Sequence, residues 1–129
     1  MNNEQGVLQT AAHLVSCFAK HDFDGYFACF AEDAVFIFHT SKKVLINKAE
    51  YKQEWKSWEK DWGFHVKACQ SSNQRVQMFD QMAIFSHDVA TTLNTSDGEK
   101  SFEERETIVF SYVQGKWVAV HEHLSPMPE

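Results

Sequence analysis

The residues best suited to chemistry lie in one C-terminal stretch, Trp117-Val118-Ala119-Val120-His121-Glu122-His123-Leu124. Imidazoles exchange protons near neutral pH, and a carboxyl set among apolar neighbours can have its pKa moved by burial. In a regular strand His121 and His123 share a face with Trp117 and Ala119, while Glu122 shares the other with Val118, Val120 and Leu124. The histidines therefore act together or not at all. Which face meets the interior depends on the register of the turn between Tyr112 and Lys116, because a one-residue slip exchanges the two.

Three chemistries fit this pattern. His121 or His123 can serve as general acid or base, oriented by Glu104 or Glu106 on the adjoining strand. Alternatively, the imidazoles hydrogen-bond to backbone or carboxylate at a pocket floor or subunit interface and do no chemistry. Thirdly, His-x-His on a strand offers two metal ligands and would need His39, His65 or His87 to complete a site. Neither an HExxH motif nor a Cys/His cluster supports that, so no metal and no cofactor is expected. Glu122 is a buried general base if its face is concave, or else the partner of Arg75 or Arg105 in a salt bridge. Asp88, next to His87, must be satisfied, exposed or functional, since an unpaired carboxylate is costly within a sheet.

The elements that position these residues follow from periodicity. Val7, Leu8, Ala11, Leu14, Val15 and Phe18 recur at helical spacing, predicting an amphipathic helix from about Glu4 to Lys20. Asp22 caps a short second helix whose stripe is Phe23, Tyr26, Phe27 and Phe30, ended by Glu32-Asp33. Val35-Phe36-Ile37-Phe38 reads as a strand. Asn47 and Glu50 form a capping box for a third helix carrying Tyr51, Trp55, Trp58 and Trp62, stopped by Gly63. From Phe64 the period becomes two, with turn residues at Asp80-Gln81, Ser96-Asp97-Gly98 and Gln114-Gly115, so the second half is an antiparallel meander. Helices first and sheet afterwards make an α+β domain whose curved sheet can wrap the helices around a conical pocket.

Composition narrows the function. A chain of 129 residues is expected to form one domain, spanning 1-129, with a core that needs no disulfide. A net charge of -6 without a basic run argues against nucleic acid as a partner. No run approaches the ~20 apolar residues of a membrane span, and the N-terminus lacks a signal-peptide pattern. With three cysteines and no CxxC spacing, a cytoplasmic location is expected. Aromatic residues make up 14% of the chain, more than a small core requires unless a ligand or second subunit shares them.

The order of elements, the segment Asp22-Phe23-Asp24-Gly25 with Phe30-Ala31-Glu32-Asp33-Ala34, and the ending Arg105-Glu106-Thr107 … Gly115-Lys116-Trp117 … Val120-His121-Glu122-His123-Leu124-Ser125 resemble a SnoaL-like protein of the nuclear-transport-factor-2-like, ketosteroid-isomerase-like superfamily. The resemblance implies a cystatin-like cone, three N-terminal helices packed in a strongly curved antiparallel sheet, dimeric through that sheet. It implies no single activity. The catalytic tyrosine and aspartate of ketosteroid isomerases fall on Leu14 and Phe38, which cannot exchange protons. The association domain of calcium/calmodulin-dependent protein kinase II has a similar ending, but its pocket arginines fall on Ile108 and Leu124, so no carboxylate clamp is carried over.

The expected function is binding of a small organic ligand in a mostly apolar pocket lined by Tyr26, Phe38, His39, Tyr51, Trp55, Trp58 and Ile108. Acid-base catalysis of the isomerase, cyclase or dehydratase type on a cyclic substrate is assigned to His121, His123 or Glu122. The alternative is a homodimeric association module with a non-catalytic pocket.

Overall fold

Asn3 opens the first helix, its side chain accepting from the Gly6 amide at 2.9 Å and satisfying one of the donors a helix start leaves free. In this computed structural model, which describes residues 2–128, α1 (Glu4–Ala19) buries Val7, Ala11 and Leu14 of the predicted stripe, and Cys17 beside them. Asp22 caps α2 (Phe23–Phe27) through the Gly25 amide at 3.0 Å.

The second helix is shorter than its apolar stripe predicts. Phe30 and Glu32-Asp33 belong to β1 (Phe30–Phe38), not to the end of α2. Two tertiary contacts override the local pattern. The buried Lys48 ammonium holds the carbonyls of Phe27 and Phe30 at 3.1 and 2.9 Å, and the Cys29 carbonyl accepts from the Ala119 amide at 2.9 Å. These carbonyls are thus bound outside any helix.

α3 (Lys48–Trp62) has the predicted cap: the Asn47 side chain accepts from the Glu50 amide at 2.8 Å, while the Glu50 carboxylate accepts from the Ile46 amide at 3.1 Å. Gly63 ends it at φ +68, and a Cβ there would stand 3.0 Å from the Ser96 backbone nitrogen. Only glycine meets both conditions without strain.

Four long strands follow, β2 (His65–Phe79), β3 (Met82–Thr95), β4 (Gly98–Val113) and β5 (Lys116–Pro126), turning where the sequence predicts. Gln114 and Gly115 both take positive φ, the conformation of a tight hairpin turn that keeps the strand twist. The curved sheet runs β1-β5-β4-β3-β2, with β1 parallel to β5 and the other pairs antiparallel. Its inner face carries Phe85, His87 and Val89 on β3 and Glu104, Glu106 and Ile108 on β4, all buried. Trp55, Tyr26, Phe27 and Phe36 fill the space between this face and the helices and are almost wholly excluded from solvent. Most of the aromatic excess is therefore core.

One irregularity decides what β5 presents inward. Phe110 pairs with Ala119 but Val109 pairs with His121, so Val120 is an extra residue in the ladder. Such a bulge reverses the alternation beyond it. Trp117 and Ala119 face inward before it, and Glu122 and Leu124 face inward after it. The expectation that the histidines share a face with Trp117 and Ala119 is thereby corrected.

Candidate functional site

Between the helices and the inner sheet face lies a cavity of about 270 Å³. Its walls are mostly apolar: Leu14 and Phe18 from α1, Trp58 and Trp62 from α3, and Val89 and Leu93 from β3. Thr40 and Thr91 contribute hydroxyls to the lining, and five titratable oxygen-bearing side chains interrupt the apolar walls, namely Tyr26, Tyr51, Glu104, Glu106 and Glu122. All five are buried.

The polar groups form a connected set. The Tyr26 hydroxyl donates to Glu122 Oε1 at 3.2 Å and lies 2.9 Å from the Tyr51 hydroxyl, which can donate to it in turn. Glu122 and Glu106 share a hydrogen bond, so one of the two carboxyls carries the proton between them. Glu106 Oε1 also lies 2.7 Å from His87 Nε2, and His87 Nδ1 lies 2.5 Å from the Ser71 hydroxyl. Glu104 is paired separately, with His39 Nε2 at 2.5 Å from its Oε2. Among the described residues no buried side-chain nitrogen or oxygen lacks a partner. Burial of so many polar groups is tolerable for that reason.

Electrostatics assigns the shared proton to Glu122. Burial pushes its carboxyl well above the ordinary 4.5, and the neighbouring Glu106 charge pushes it further in the same direction. Glu106 is also raised by burial, but the hydrogen bond from Glu122 favours its ionised form. Two carboxyls in one apolar site cannot both ionise cheaply, and this pair resolves the conflict with one acid and one carboxylate. Burial also raises both phenols well above 10, first through desolvation and then through the Glu122 charge. At neutral pH the cavity end therefore presents two phenolic donors and one carboxylic acid.

His87 experiences opposing influences. Desolvation lowers its pKa from 6.5 to about 4, against the weaker upward pull of the acidic pair to which Glu122 belongs and of Asp88. Its contact with Glu106 is an ion pair only if the ring is charged. Burial wins, because the Glu106 charge is already partly satisfied by the Glu122 proton. In the neutral ring Nε2 donates to Glu106 and Nδ1 accepts from Ser71.

The residues singled out from sequence divide cleanly. Tyr26, Phe38, Tyr51 and Trp58 line the cavity, and so does Glu122. Trp55 and Ile108 do not line it; they lie behind it, fully buried in the core. His39 stands at its edge as the partner of Glu104. His121 and His123 lie on the outer face of the sheet, in register with Val109 and Thr107, and the bulge at Val120 is the reason. Glu122 bonds to Tyr26 rather than to Arg75 or Arg105. Asp88 is satisfied outside the cavity, accepting from Asn73 Nδ2 at 2.7 Å, with Arg105 Nε 3.9 Å away. Glu104 and Glu106 do not orient the terminal histidines; they pair with His39 and His87. Among the described residues no three His, Cys, Asp or Glu side chains are grouped as a metal site, and no helix is long and apolar enough to cross a membrane.

The part His87 plays behind the cavity, as the partner of Glu106, escaped the sequence reading, although its signal was present. It occupies the inward parity between Phe85 and Val89, just as Glu104 and Glu106 continue the parity of Ile108 and Phe110. A titratable residue replacing an apolar one in a buried alternating row points into whatever the row encloses.

Solved structures place the fold. A nuclear-transport-factor-2-like protein of Cytophaga hutchinsonii superposes with a TM-score of 0.82 at 13% identity, covering 98% of this chain and 100% of that one. A putative calcium/calmodulin-dependent protein kinase II association domain of Xanthomonas campestris gives 0.79 at 20% identity, covering 95% and 86%. The association domain of the Caenorhabditis elegans kinase gives 0.73 at 16% identity, covering 95% and 94%. At these identities the likeness is one of fold. No curated protein sequence matches the chain. The model of the SnoaL-like domain matches residues 7–129, nearly the whole length, and this chain therefore belongs to the SnoaL-like family, with the α+β fold of nuclear-transport-factor-2-like and cystatin-like proteins.

Proposed function

We propose that the protein binds a small, neutral, largely apolar compound bearing a carbonyl or hydroxyl oxygen, and that the Glu122–Glu106 pair performs acid-base chemistry of the isomerase, cyclase or dehydratase type on it. The observation that carries this reading is the meeting of two phenols and a protonated carboxyl at the polar end of an apolar cavity. A cavity of about 270 Å³ lies just below the ~300–1,000 Å³ usual for ligand pockets and suits one or two fused rings. Three glutamates on its lining disfavour an anionic ligand. A ligand oxygen entering this end would compete for the protons that now run from Tyr51 to Tyr26 to Glu122, and a donor turned to it stabilises the negative charge that develops there on enolisation or loss of a neighbouring proton. Glu122 supplies a proton to that oxygen, and Glu106, the carboxylate of the pair, accepts one.

The test uses naphthol, tetralone and naphthoate as ligands, with quenching of Trp58 and Trp62 fluorescence as the readout. Naphthol and tetralone should bind and naphthoate should not, with Tyr26→Phe and Glu122→Gln each weakening binding by about tenfold, the worth of one hydrogen bond to a buried polar group. Deuterium incorporation beside the tetralone carbonyl, followed by NMR in heavy water, should disappear in Glu122→Gln. Equal binding of naphthoate, or indifference to both substitutions, would overturn the assignment.

Self-association is a second reading, favoured by the face of the sheet opposite the helices. Ile84, Val109, Val118 and Val120 lie there half-buried beside His121, and two of the solved structures similar in fold are association domains by name. A homodimer formed through this face would place His121 and His123 at the interface. Sedimentation velocity should show a dimer that Val109→Lys converts to monomer; a monomeric wild type removes this reading.

A further inference from the structure

We propose that Ser71 and His87 form a proton path between solvent at the edge strand and the buried Glu106–Glu122 pair. The path deepens the acid-base reading of that pair and rests on it.

The geometry is a single file of hydrogen bonds. Gln74, exposed at the surface, donates from Nε2 to the Ser71 hydroxyl at 3.0 Å. That hydroxyl meets His87 Nδ1 at 2.5 Å, and His87 Nε2 meets Glu106 Oε1 at 2.7 Å. Glu106 shares its proton bond with Glu122, which accepts from Tyr26 on the cavity wall. With Gln74 donating to Ser71, the serine proton is left to point at His87, so every donor in the file is directed toward the Glu106 carboxylate. The outer end is opened by an irregularity in β2: the ladder to β3 shifts register between Ser72 and Arg75, and Asn73 takes φ +51. This bulge brings Gln74 back over Ser71, which is half-buried, while His87 itself is only 2% exposed. Asp88 faces the other side, bound to Asn73, and Glu104 is engaged by His39, so neither diverts the file.

The transfer balances without an oxidant. When Glu122 gives its proton to a ligand oxygen before Glu106 has taken one from the ligand, the pair is left with two negative charges. Glu106 then takes the Nε2 proton of His87, His87 takes the Ser71 proton at Nδ1, and Ser71 takes one from water. Each bond to hydrogen that breaks is replaced by one that forms, and the imidazole changes tautomer without becoming a cation. A proton passing outward later in the same turnover restores the first tautomer.

The experiment reads exchange of the buried acid proton without any ligand. After rapid dilution into heavy water, stopped-flow infrared spectroscopy of protein carrying isotope-labelled glutamate follows the carbonyl stretch of the protonated carboxyl. Ser71→Ala should slow exchange by about tenfold or more, because it removes one link in a proton-transfer chain. Ser71→Thr, which keeps the hydroxyl, should restore it, and His87→Phe should slow it where that variant folds. Ser71→Ala takes the partner from His87 Nδ1 and should lower the melting temperature by a few degrees, the cost of one buried hydrogen bond, while the chain stays folded at the temperature of the exchange measurement. Unchanged or faster exchange in Ser71→Ala, or no protonated buried carboxyl at neutral pH, overturns the path. Loss of naphthol and tetralone binding would instead strike the ligand assignment and leave this rate measurable.

Discussion

Replacing His87 by glutamine should change how stability depends on acid, and the structure sets both sign and size. In the folded chain the imidazole is buried and its pKa is lowered from 6.5 to about 4. The unfolded chain therefore binds a proton that the folded chain refuses across that interval. A depressed histidine contributes stability that is fully present above pH 6.5 and is lost as pH falls through about 4. At ~1.4 kcal/mol per pH unit the loss totals on the order of 3 kcal/mol, and most of it falls between about pH 6.5 and pH 4.5. Urea unfolding of wild type and His87→Gln at about pH 7 and pH 4.5 isolates the effect, since the other titrating groups are common to both. With a slope of ~2 kcal/mol per molar urea, the wild-type midpoint should fall by about 1 M more than that of the variant. The opposite charge state makes the opposite prediction. If His87 were an imidazolium paired with Glu106, its pKa would be raised, and wild-type stability would be lost as pH rises past neutrality. Parallel profiles, or that reversed slope, would refute the neutral-imidazole reasoning.

Glu122→Gln should act at the other end of the pH scale. A carboxyl raised well above 4.5 contributes stability that is present below its unfolded pKa and lost as pH rises through the folded one. Thermal denaturation should therefore show the variant gaining on the wild type as pH increases, and coincident curves would count against a protonated Glu122. Gly63→Ala should lower the melting temperature, at a cost of about 1 kcal/mol or more, because φ +68 and the nearby Ser96 nitrogen both oppose a Cβ. His121→Ala and His123→Ala should each leave naphthol affinity within about twofold of wild type, as expected for substitutions on a surface remote from the ligand. A larger loss in either would mean that the outer face of β5 reaches the site.

The fold was legible because its signals are local and mutually consistent. Asn47 with Glu50 starts α3, Gly63 stops it, and Gln114-Gly115 turns β4 into β5. Where the sequence misleads, a long-range contact decides. The aromatic stripe through Phe30 predicts a longer α2, yet a lysine eighteen residues further on binds the carbonyl of Phe30 and β5 takes that of Cys29. The site was half legible for the same reason. Tyr26, Tyr51 and Trp58 are visible as one face of two helices, whereas the choice between the histidines and Glu122 rests on a single extra residue, Val120, that carries no glycine or proline to mark it.

That bulge links the fold to the chemistry. Without it, the ladder that turns Trp117 and Ala119 inward would also turn His121 and His123 inward, setting two imidazoles opposite Tyr26 in place of an acid. The extra residue instead delivers Glu122 beside Glu106, whose inward position is fixed by the unbroken alternation of β4 toward Ile108 and Phe110. Of two carboxyls brought together by separate strands, one gains the proton at the other's expense: the Glu106 charge raises Glu122, and the hydrogen bond from Glu122 lowers Glu106. The proton donor in this cavity is thus a property of the β4–β5 register. Deleting Val120 should exchange the faces of β5 beyond it, exposing Glu122 and abolishing the protonated-carboxyl infrared band even in chains that still fold. Persistence of that band in the deletion variant would show that some other carboxyl carries the proton.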